Sequence, residues 1–141
     1  AIALGVALVA ATHAAFALVR VVSPDLAVTV RSLYLSIDLG ASRAALAVLT
    51  TIIVIGEELV WRGVAVAVVR GRVRTTPALG AISVALYVLP QLPGHVPILI
   101  VAATGLGAVF AAQRLITGRL TDAILTHAIW SVSVFVVFPV M

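Results

Sequence analysis

The sequence contains no cysteine, and charged residues make up only 10% of its 141 residues. Without cysteine, the chain can form neither disulfides nor cysteine-ligated zinc sites. An ordinary soluble domain has about 25% charged residues, so this composition argues against a soluble globular fold. Hydrophobic residues reach 63%, with a mean hydropathy of +1.27. The composition therefore predicts an integral membrane protein.

Lysine is also missing, so all nine basic residues are arginine and the formal net charge is +4. A basic chain can indicate nucleic-acid binding. Here, however, the arginines occur singly or at the ends of apolar runs, as juxtamembrane anchors do, and not along one polar face. We therefore expect the lipid bilayer as a partner, and no nucleic acid.

Five apolar segments are long enough to cross a hydrocarbon core about 30 Å thick, which takes roughly 20 helical residues. Residues 20–43 are too polar to span and predict a loop with an interfacial or re-entrant helix at 25–39. Pro90 and Pro93 should kink or end the third helix near residues 87–91. The predicted fold class is an all-α, polytopic transmembrane helical bundle. Its spans cover residues 1–19, 41–69, 75–94, 96–116 and 121–141.

The chain begins inside the first apolar run, without methionine or a basic leader. We expect a single transmembrane domain over residues 1–141 that is truncated at its N-terminus. If the spans alternate, five arginines lie on one side of the membrane and three on the other, which favours the first side as cytoplasmic. The two groups are Arg70, Arg72, Arg74, Arg114 and Arg119 against Arg20, Arg31 and Arg43.

The stretch G-E-E-L-V-W-R-G in the second span places three charges within an apolar run. Each charge at a helix centre costs roughly 2.5–3.5 kcal/mol, so Glu57, Glu58 and Arg62 together cost about 7–10 kcal/mol if unpaired. The Leu, Ile and Val residues of the same span favour membrane insertion by only about 4–8 kcal/mol in total. The charges should therefore face a bundle interior or a wet cavity, where ionisable residues usually serve a function.

The spacing within this stretch suggests different roles for its two glutamates. Residues four apart share a helix face, so Arg62 can pair with Glu58, while Glu57 points about 100° away and would be left free. Two adjacent carboxylates in different surroundings can hold different protonation states, which suits general base chemistry. The alternative is an ordinary ion pair that stabilises helix assembly.

Further polar and small residues lie in the later spans. His127 and Ser131 are four apart in the fifth span, where a histidine serves as a proton shuttle, metal ligand or oxyanion donor, or as a structural residue. Tyr87 and Gln91 share a helix face in the third span and are placed to bond a neighbouring helix. The fourth span is rich in small residues that let helices approach closely: Gly105, Gly107, Ala108, Ala111 and Ala112.

These motifs resemble the CPBP family of intramembrane proteases, which includes the CAAX prenyl endopeptidase and bacterial bacteriocin-processing or Abi proteins. Glu57, Glu58 and Arg62 match its first motif, E-E-x-x-x-R, in full. The resemblance extends over about residues 41–137. It implies an intramembrane metalloendopeptidase in which Glu57 activates a water molecule as general base. Glu58 and Arg62 would orient that water.

Two other motifs of the family are present in altered form. His127 matches the histidine of H-x-x-x-N, with Ser131 in place of asparagine. In the motif F-x-x-x-H, Tyr87 stands at the aromatic position and Gln91 at the histidine. The resemblance implies that His127, with Ser131 or Gln91, stabilises the oxyanion. Glutamine can donate a hydrogen bond, but it is a poor zinc ligand and cannot carry a proton.

The family also implies a divalent metal such as zinc, with Glu57 and His127 as candidate ligands. It further implies a peptide or prenylated-protein-like substrate and a place in the bacterial plasma membrane. A second hypothesis is a catalytically impaired membrane protein that keeps the fold and binds a partner, which Gln91 and Ser131 favour. A proton-coupled transporter is a third, but it would need inverted repeats, which the sequence does not show.

Overall fold

The computed structural model describes residues 1–37, 40–73 and 75–140, and every regular element within them is helical. Five of the helices are long and apolar enough to cross a membrane, and a shorter helix lies between the first two. The predicted all-α class with five spans is therefore confirmed. The helices are α1 (Ile2–Val22), α2 (Pro24–Ile37), α3 (Arg43–Arg70), α4 (Thr76–Gly94), α5 (Pro97–Thr117) and α6 (Leu120–Val137).

The helix α2 occupies the place of the predicted non-spanning helix at residues 25–39 and begins at Pro24. Proline suits the first turn of a helix because its missing N–H would have no helical partner there. That α2 lies at the interface or re-enters the membrane stays a prediction. Residues 38–39, Arg74 and Met141, which the sequence-based predictions included, lie outside the described residues.

The helix α4 changes its winding at its two internal prolines. Its α-helical part ends at Val88, and Leu89–Gly94 continues as a 3-10 helix. Pro90 and Pro93 have no N–H to donate to the preceding turn, which prevents regular α-helical bonding through this segment. The predicted helix end near residues 87–91 is confirmed.

A two-residue connection joins α5 to α6. Gly118 has a φ of 71°, in the left-handed region, and donates its N–H to the carbonyl of Arg114. Glycine adopts this backbone conformation without steric cost, which is why it commonly ends helices. The helix α5 therefore ends at Thr117, with Gly118 as its cap, and α6 begins at Leu120.

The internal contacts of the chain define two compact units. Unit 1 comprises Ala1–Val54 and Leu125–Met141, and unit 2 comprises Ile55–Ile124. The long helices α3 and α6 each contribute to both units. The expectation of a single domain stays a prediction.

Aromatic side chains of α6 hold unit 1 together. The indole Nε1 of Trp130 donates a hydrogen bond of 2.9 Å to the hydroxyl of Thr12 in α1. The hydroxyl of Tyr34 in α2 donates to the carbonyl of Val134 at 3.1 Å, and its ring lies 5.6 Å from that of Phe135. Because Tyr and Trp bury large apolar rings while satisfying their polar atoms, they connect both helices to α6.

Unit 2 contains the second part of α3, together with α4, α5 and the start of α6. Small residues bring α4 and α5 close, since a Cβ added to Gly80 would lie 3.3 Å from Leu115. The hydroxyl of Ser83 in α4 donates to the carbonyl of Trp61 in α3. The buried apolar residues of this unit are Val66, Leu79, Tyr87, Ala103, Phe110, Ala111 and Ala123.

Candidate active site

A buried ion pair forms the centre of unit 2. Nη1 of Arg62 lies 3.1 Å from Oε1 of Glu58, and both side chains are 0% exposed. Removing either partner would leave the other charge buried and uncompensated, at a cost of about 3–5 kcal/mol. The predicted pairing of Glu58 with Arg62 is confirmed.

The ion pair spans a local widening of α3. Leu59–Val64 is π-helical and begins directly after Glu58, and the N–H of Ala65 bonds to the carbonyl of Val60, five residues back. The regular α-helix expected from the sequence is therefore interrupted here, although the ion pair still forms. Short π-helical segments inside α-helices are frequent at functional sites.

The guanidinium of Arg62 is enclosed by groups from two neighbouring helices. Nη2 donates a hydrogen bond of 3.2 Å to the carbonyl of Gly107 in α5. The guanidinium carbon lies 4.2 Å from the ring centre of Tyr87 in α4 and 5.6 Å from that of Phe110 in α5. Arginine stacks on aromatic rings through cation–π attraction. Arg62 therefore links α3 to both helices.

The backbone of α5 approaches this cluster closely at one glycine. A Cβ on Gly107 would lie 2.9 Å from Cδ1 of Tyr87 and 3.3 Å from Nη2 of Arg62. The predicted close approach is confirmed at this position. At Gly105, by contrast, an added Cβ would meet nothing within 4 Å. The site therefore requires glycine at position 107 and not at position 105.

The second glutamate of the motif also has a partner. The hydroxyl of Tyr87 lies 3.4 Å from Oε2 of Glu57 and donates to it. The prediction that Glu57 would be left free is therefore wrong, because the structure brings α4 against this carboxylate. Glu57 is half-buried whereas Glu58 is fully buried, so the predicted difference in surroundings is present.

The sequence did not predict three contacts of this cluster. Tyr87 was singled out as a helix-bonding residue and by its resemblance to the aromatic position of F-x-x-x-H, but its contact with Glu57 was not expected. Nothing in the sequence singled out the carbonyl of Gly107 or the ring of Phe110 as partners of Arg62. A backbone carbonyl carries no sequence signal of its own, so that hydrogen bond could be found only in the structure.

The other predicted site residues are placed differently. Gln91 lies in the 3-10 segment of α4 and is half-buried, and the α-helical spacing that would align it with Tyr87 ends at Val88. His127 and Ser131 lie in α6 within unit 1, and each is 3% exposed. The ring of His127 contacts that of Trp130 at 6.2 Å between centres. A histidine and a hydroxyl are thus buried together on this helix.

The residues of unit 2 do not fit a metal ion. Among the described residues of this unit, no group of three or more His, Asp or Glu side chains could hold one. Glu58 already contacts a cation, the guanidinium of Arg62. Structural and catalytic zinc sites take three or four such ligands.

A comparison with protein-family models gives one decisive result. The model of the type II CAAX prenyl endopeptidase Rce1-like family matches residues 39–133, about two thirds of the chain. The chain belongs to this family. Neither a curated protein nor a solved structure matches it. The family, one of CAAX-type intramembrane proteases, was correctly identified from the sequence motifs.

Membership of the Rce1-like family agrees with the architecture. The matched range begins just before α3 and ends in α6, so it includes three of the five candidate membrane spans completely and most of a fourth. It also includes every predicted site residue. The protein is therefore an integral membrane member of the Rce1-like family, with the buried Glu58–Arg62 pair in one of its spans.

Proposed function

We propose that the protein is an intramembrane endopeptidase that hydrolyses a peptide bond in a prenylated, CAAX-type substrate. The observation that supports this most directly is the contact between Tyr87 and Glu57 beside the buried Glu58–Arg62 pair. A half-buried carboxylate next to a fully buried ion pair is an arrangement suited to proton transfer. The family match supports the proposed substrate class.

In the proposed reaction, Glu57 accepts a proton from a water molecule as the water oxygen attacks the carbonyl carbon of the scissile bond. The resulting tetrahedral intermediate collapses with cleavage of the C–N bond, and the same proton passes to the departing amine. Tyr87 orients the carboxylate through its hydroxyl, and the Glu58–Arg62 pair holds the helix segment that carries Glu57. Exclusion of bulk water by the surrounding helices strengthens these electrostatic interactions.

Negative charge that develops on the carbonyl oxygen requires a donor. We assign this role to His127, with Ser131 or Gln91 as a second donor, because imidazole, hydroxyl and amide groups can each donate a hydrogen bond. The assignment rests on the family motif and on the burial of His127 and Ser131. No step is assigned to a metal ion, because the described residues of unit 2 do not assemble its ligands.

The mechanism can be tested with the purified protein in lipid vesicles and a fluorogenic farnesylated CAAX peptide. Glu57→Gln keeps the shape of the side chain but cannot accept a proton, and we expect kcat/KM to fall by about 10²–10⁴-fold, as for loss of a general base. Asp25→Asn is the matched control, since Asp25 is an exposed carboxylate on α2. This control should cleave at the wild-type rate.

His127→Ala should lower kcat by about 10²–10³-fold if it removes an oxyanion donor. Cleavage that persists at the wild-type rate in both Glu57→Gln and His127→Ala would rule out the proposed mechanism. An unprenylated peptide of the same sequence identifies the contribution of the lipid group. Equal rates for the two peptides would contradict the prenylated substrate class.

A second candidate function is a binding protein that retains the fold with impaired catalysis. The glutamine at position 91 favours it, because the family motif has a proton-carrying histidine there. Gln91→His restores that residue and separates the two functions. Wild-type protein that binds the peptide without cleaving it, together with turnover in Gln91→His, would support the binding function.

We further propose that the protein resides in a bacterial plasma membrane with the arginine-rich ends of α3 and α5 in the cytoplasm. Because the chain has no cysteine, single-cysteine variants give an unambiguous labelling test. Ser42→Cys and Gly71→Cys flank α3 at its two ends. A membrane-impermeant thiol reagent applied to intact cells should label the former only, and the reverse pattern would invert the orientation.

A further inference from the structure

An apolar groove of about 720 Å³ runs between α4 and α5 in unit 2. Its walls carry mostly small or aliphatic side chains, among them Gly80, Ala81, Val84, Ala108, Ala112 and Leu115. The volume falls within the roughly 300–1,000 Å³ of sites that hold small molecules. Two residues of the wall, Thr76 and Thr104, carry hydroxyl groups. The hydroxyl of Thr104 donates to the carbonyl of Ile100 in its own helix.

One end of the groove lies beside a concentration of arginines. Thr76 and Ile116 line this end, and each is within a few residues of a basic side chain, Arg72 and Arg119 respectively. Arg114 directly precedes the lining residue Leu115. Four described arginines lie at the two helix ends and in the connections there, namely Arg70, Arg72, Arg114 and Arg119. The single carboxylate in this region is that of Asp122, which lies 3.7 Å from Arg119.

We propose that this groove is a binding site for an anionic phospholipid. One acyl chain lies between α4 and α5, and the phosphate group contacts the arginines at the Thr76 end. Basic residues between transmembrane helices recognise anionic headgroups, and each adds about fivefold to binding, equivalent to about 1 kcal/mol. This site is separate from the Glu57 chemistry and does not depend on peptidase activity.

A second copy of the chain is the competing occupant. Thr104, Ala108 and Ala112 are four residues apart, a spacing at which transmembrane helices often pack against each other. A two-fold, parallel packing through this face would bring the arginine ends of both copies together. Like charges repel at such an interface, whereas an anionic lipid neutralises them. The charge distribution therefore favours the lipid.

The groove can be tested by native mass spectrometry of the protein released from vesicles that contain equal amounts of phosphatidylglycerol and phosphatidylcholine. We expect one phosphatidylglycerol molecule to be retained on the monomer in preference to phosphatidylcholine. Ala108→Trp fills the groove from α5 and Ala81→Trp from α4, and each should reduce this retention at least fivefold. Ala67→Trp is the control, since Ala67 is exposed on α3 outside the groove.

The headgroup end is tested separately with Arg72→Gln combined with Arg119→Gln, both exposed residues. At about fivefold per arginine, the preference for phosphatidylglycerol should fall roughly 25-fold. Arg20→Gln combined with Arg43→Gln removes two exposed arginines elsewhere and should leave the preference unchanged. Equal retention of both lipids by the wild type, equal loss in the Ala67→Trp control, or a lipid-free dimer broken by Ala108→Trp would overturn the proposal.

Discussion

The guanidinium carbon of Arg62 lies 4.2 Å from the ring centre of Tyr87. The hydroxyl of the same tyrosine donates to Glu57, and the guanidinium also bonds to Glu58. A single aromatic residue of α4 therefore contacts both the ion pair and the second carboxylate. Cation–π contacts contribute about 0.5–2 kcal/mol, so Tyr87 both stabilises the cluster and positions the proposed base.

Arg62→Met should be strongly destabilising, because it leaves Glu58 buried without its cation. We expect the free energy of unfolding to fall by about 3–5 kcal/mol, measured by denaturation in mixed detergent micelles. Arg119→Met should change it by less than about 0.5 kcal/mol, since that side chain is 72% exposed. The double variant Glu58→Leu with Arg62→Met should recover part of the loss. Equal effects of the two single variants would contradict a stabilising ion pair.

Gly107→Ala should be destabilising through steric overlap. The added methyl group would lie 2.9 Å from the Tyr87 ring, and overpacking of this kind costs about 1–3 kcal/mol. Gly105→Ala is a matched control on the same helix, with nothing within 4 Å of its added methyl group. It should be neutral or stabilising by up to about 1 kcal/mol, since alanine favours the helix. Thermal unfolding that ranks the two variants in the opposite order would refute the close approach.

Tyr87→Phe separates the two contacts of this residue. The ring remains beside Arg62, so the free energy of unfolding should fall by only about 0.5–1.5 kcal/mol for the lost hydrogen bond. With Glu57 no longer oriented, kcat should decrease about tenfold while KM stays unchanged, since the hydroxyl acts on the base and not on substrate binding. Tyr87→Leu removes the ring as well and should be less stable than Tyr87→Phe. An unchanged kcat in Tyr87→Phe would exclude a positioning role.

Alkaline pH should destabilise the protein through Tyr34. Burial raises the pKa of Tyr34 to about 12, whereas the unfolded chain ionises near its ordinary value of about 10. The contribution of Tyr34 to stability is therefore complete below pH 10 and is lost as the pH rises through 12. Between these two values the unfolded chain has lost the tyrosine proton while the folded chain still holds it, which favours unfolding. Thermal unfolding of wild type and Tyr34→Phe over this range measures the effect. The phenylalanine variant should lose less stability with pH, and parallel curves would contradict the assignment.

Much of the fold was predictable from local sequence properties. Runs of apolar residues determine the five spans, because a bilayer requires about 20 residues with internally satisfied backbone groups. Pro90 and Pro93 determine where α4 stops being α-helical, since the missing N–H is a local property. The π-helical segment Leu59–Val64 was not predictable, because it depends on how α3 packs within unit 2.

The sequence by itself determined the membrane class, the family and the pairing of Glu58 with Arg62, because each depends on composition or on residues one helical turn apart. Only the tertiary structure decided that Tyr87 reaches Glu57 and that the carbonyl of Gly107 accepts from Arg62. These contacts join residues 30 and 45 positions apart. Such pairs form only after α3, α4 and α5 have packed, and small residues determine how closely the helices approach.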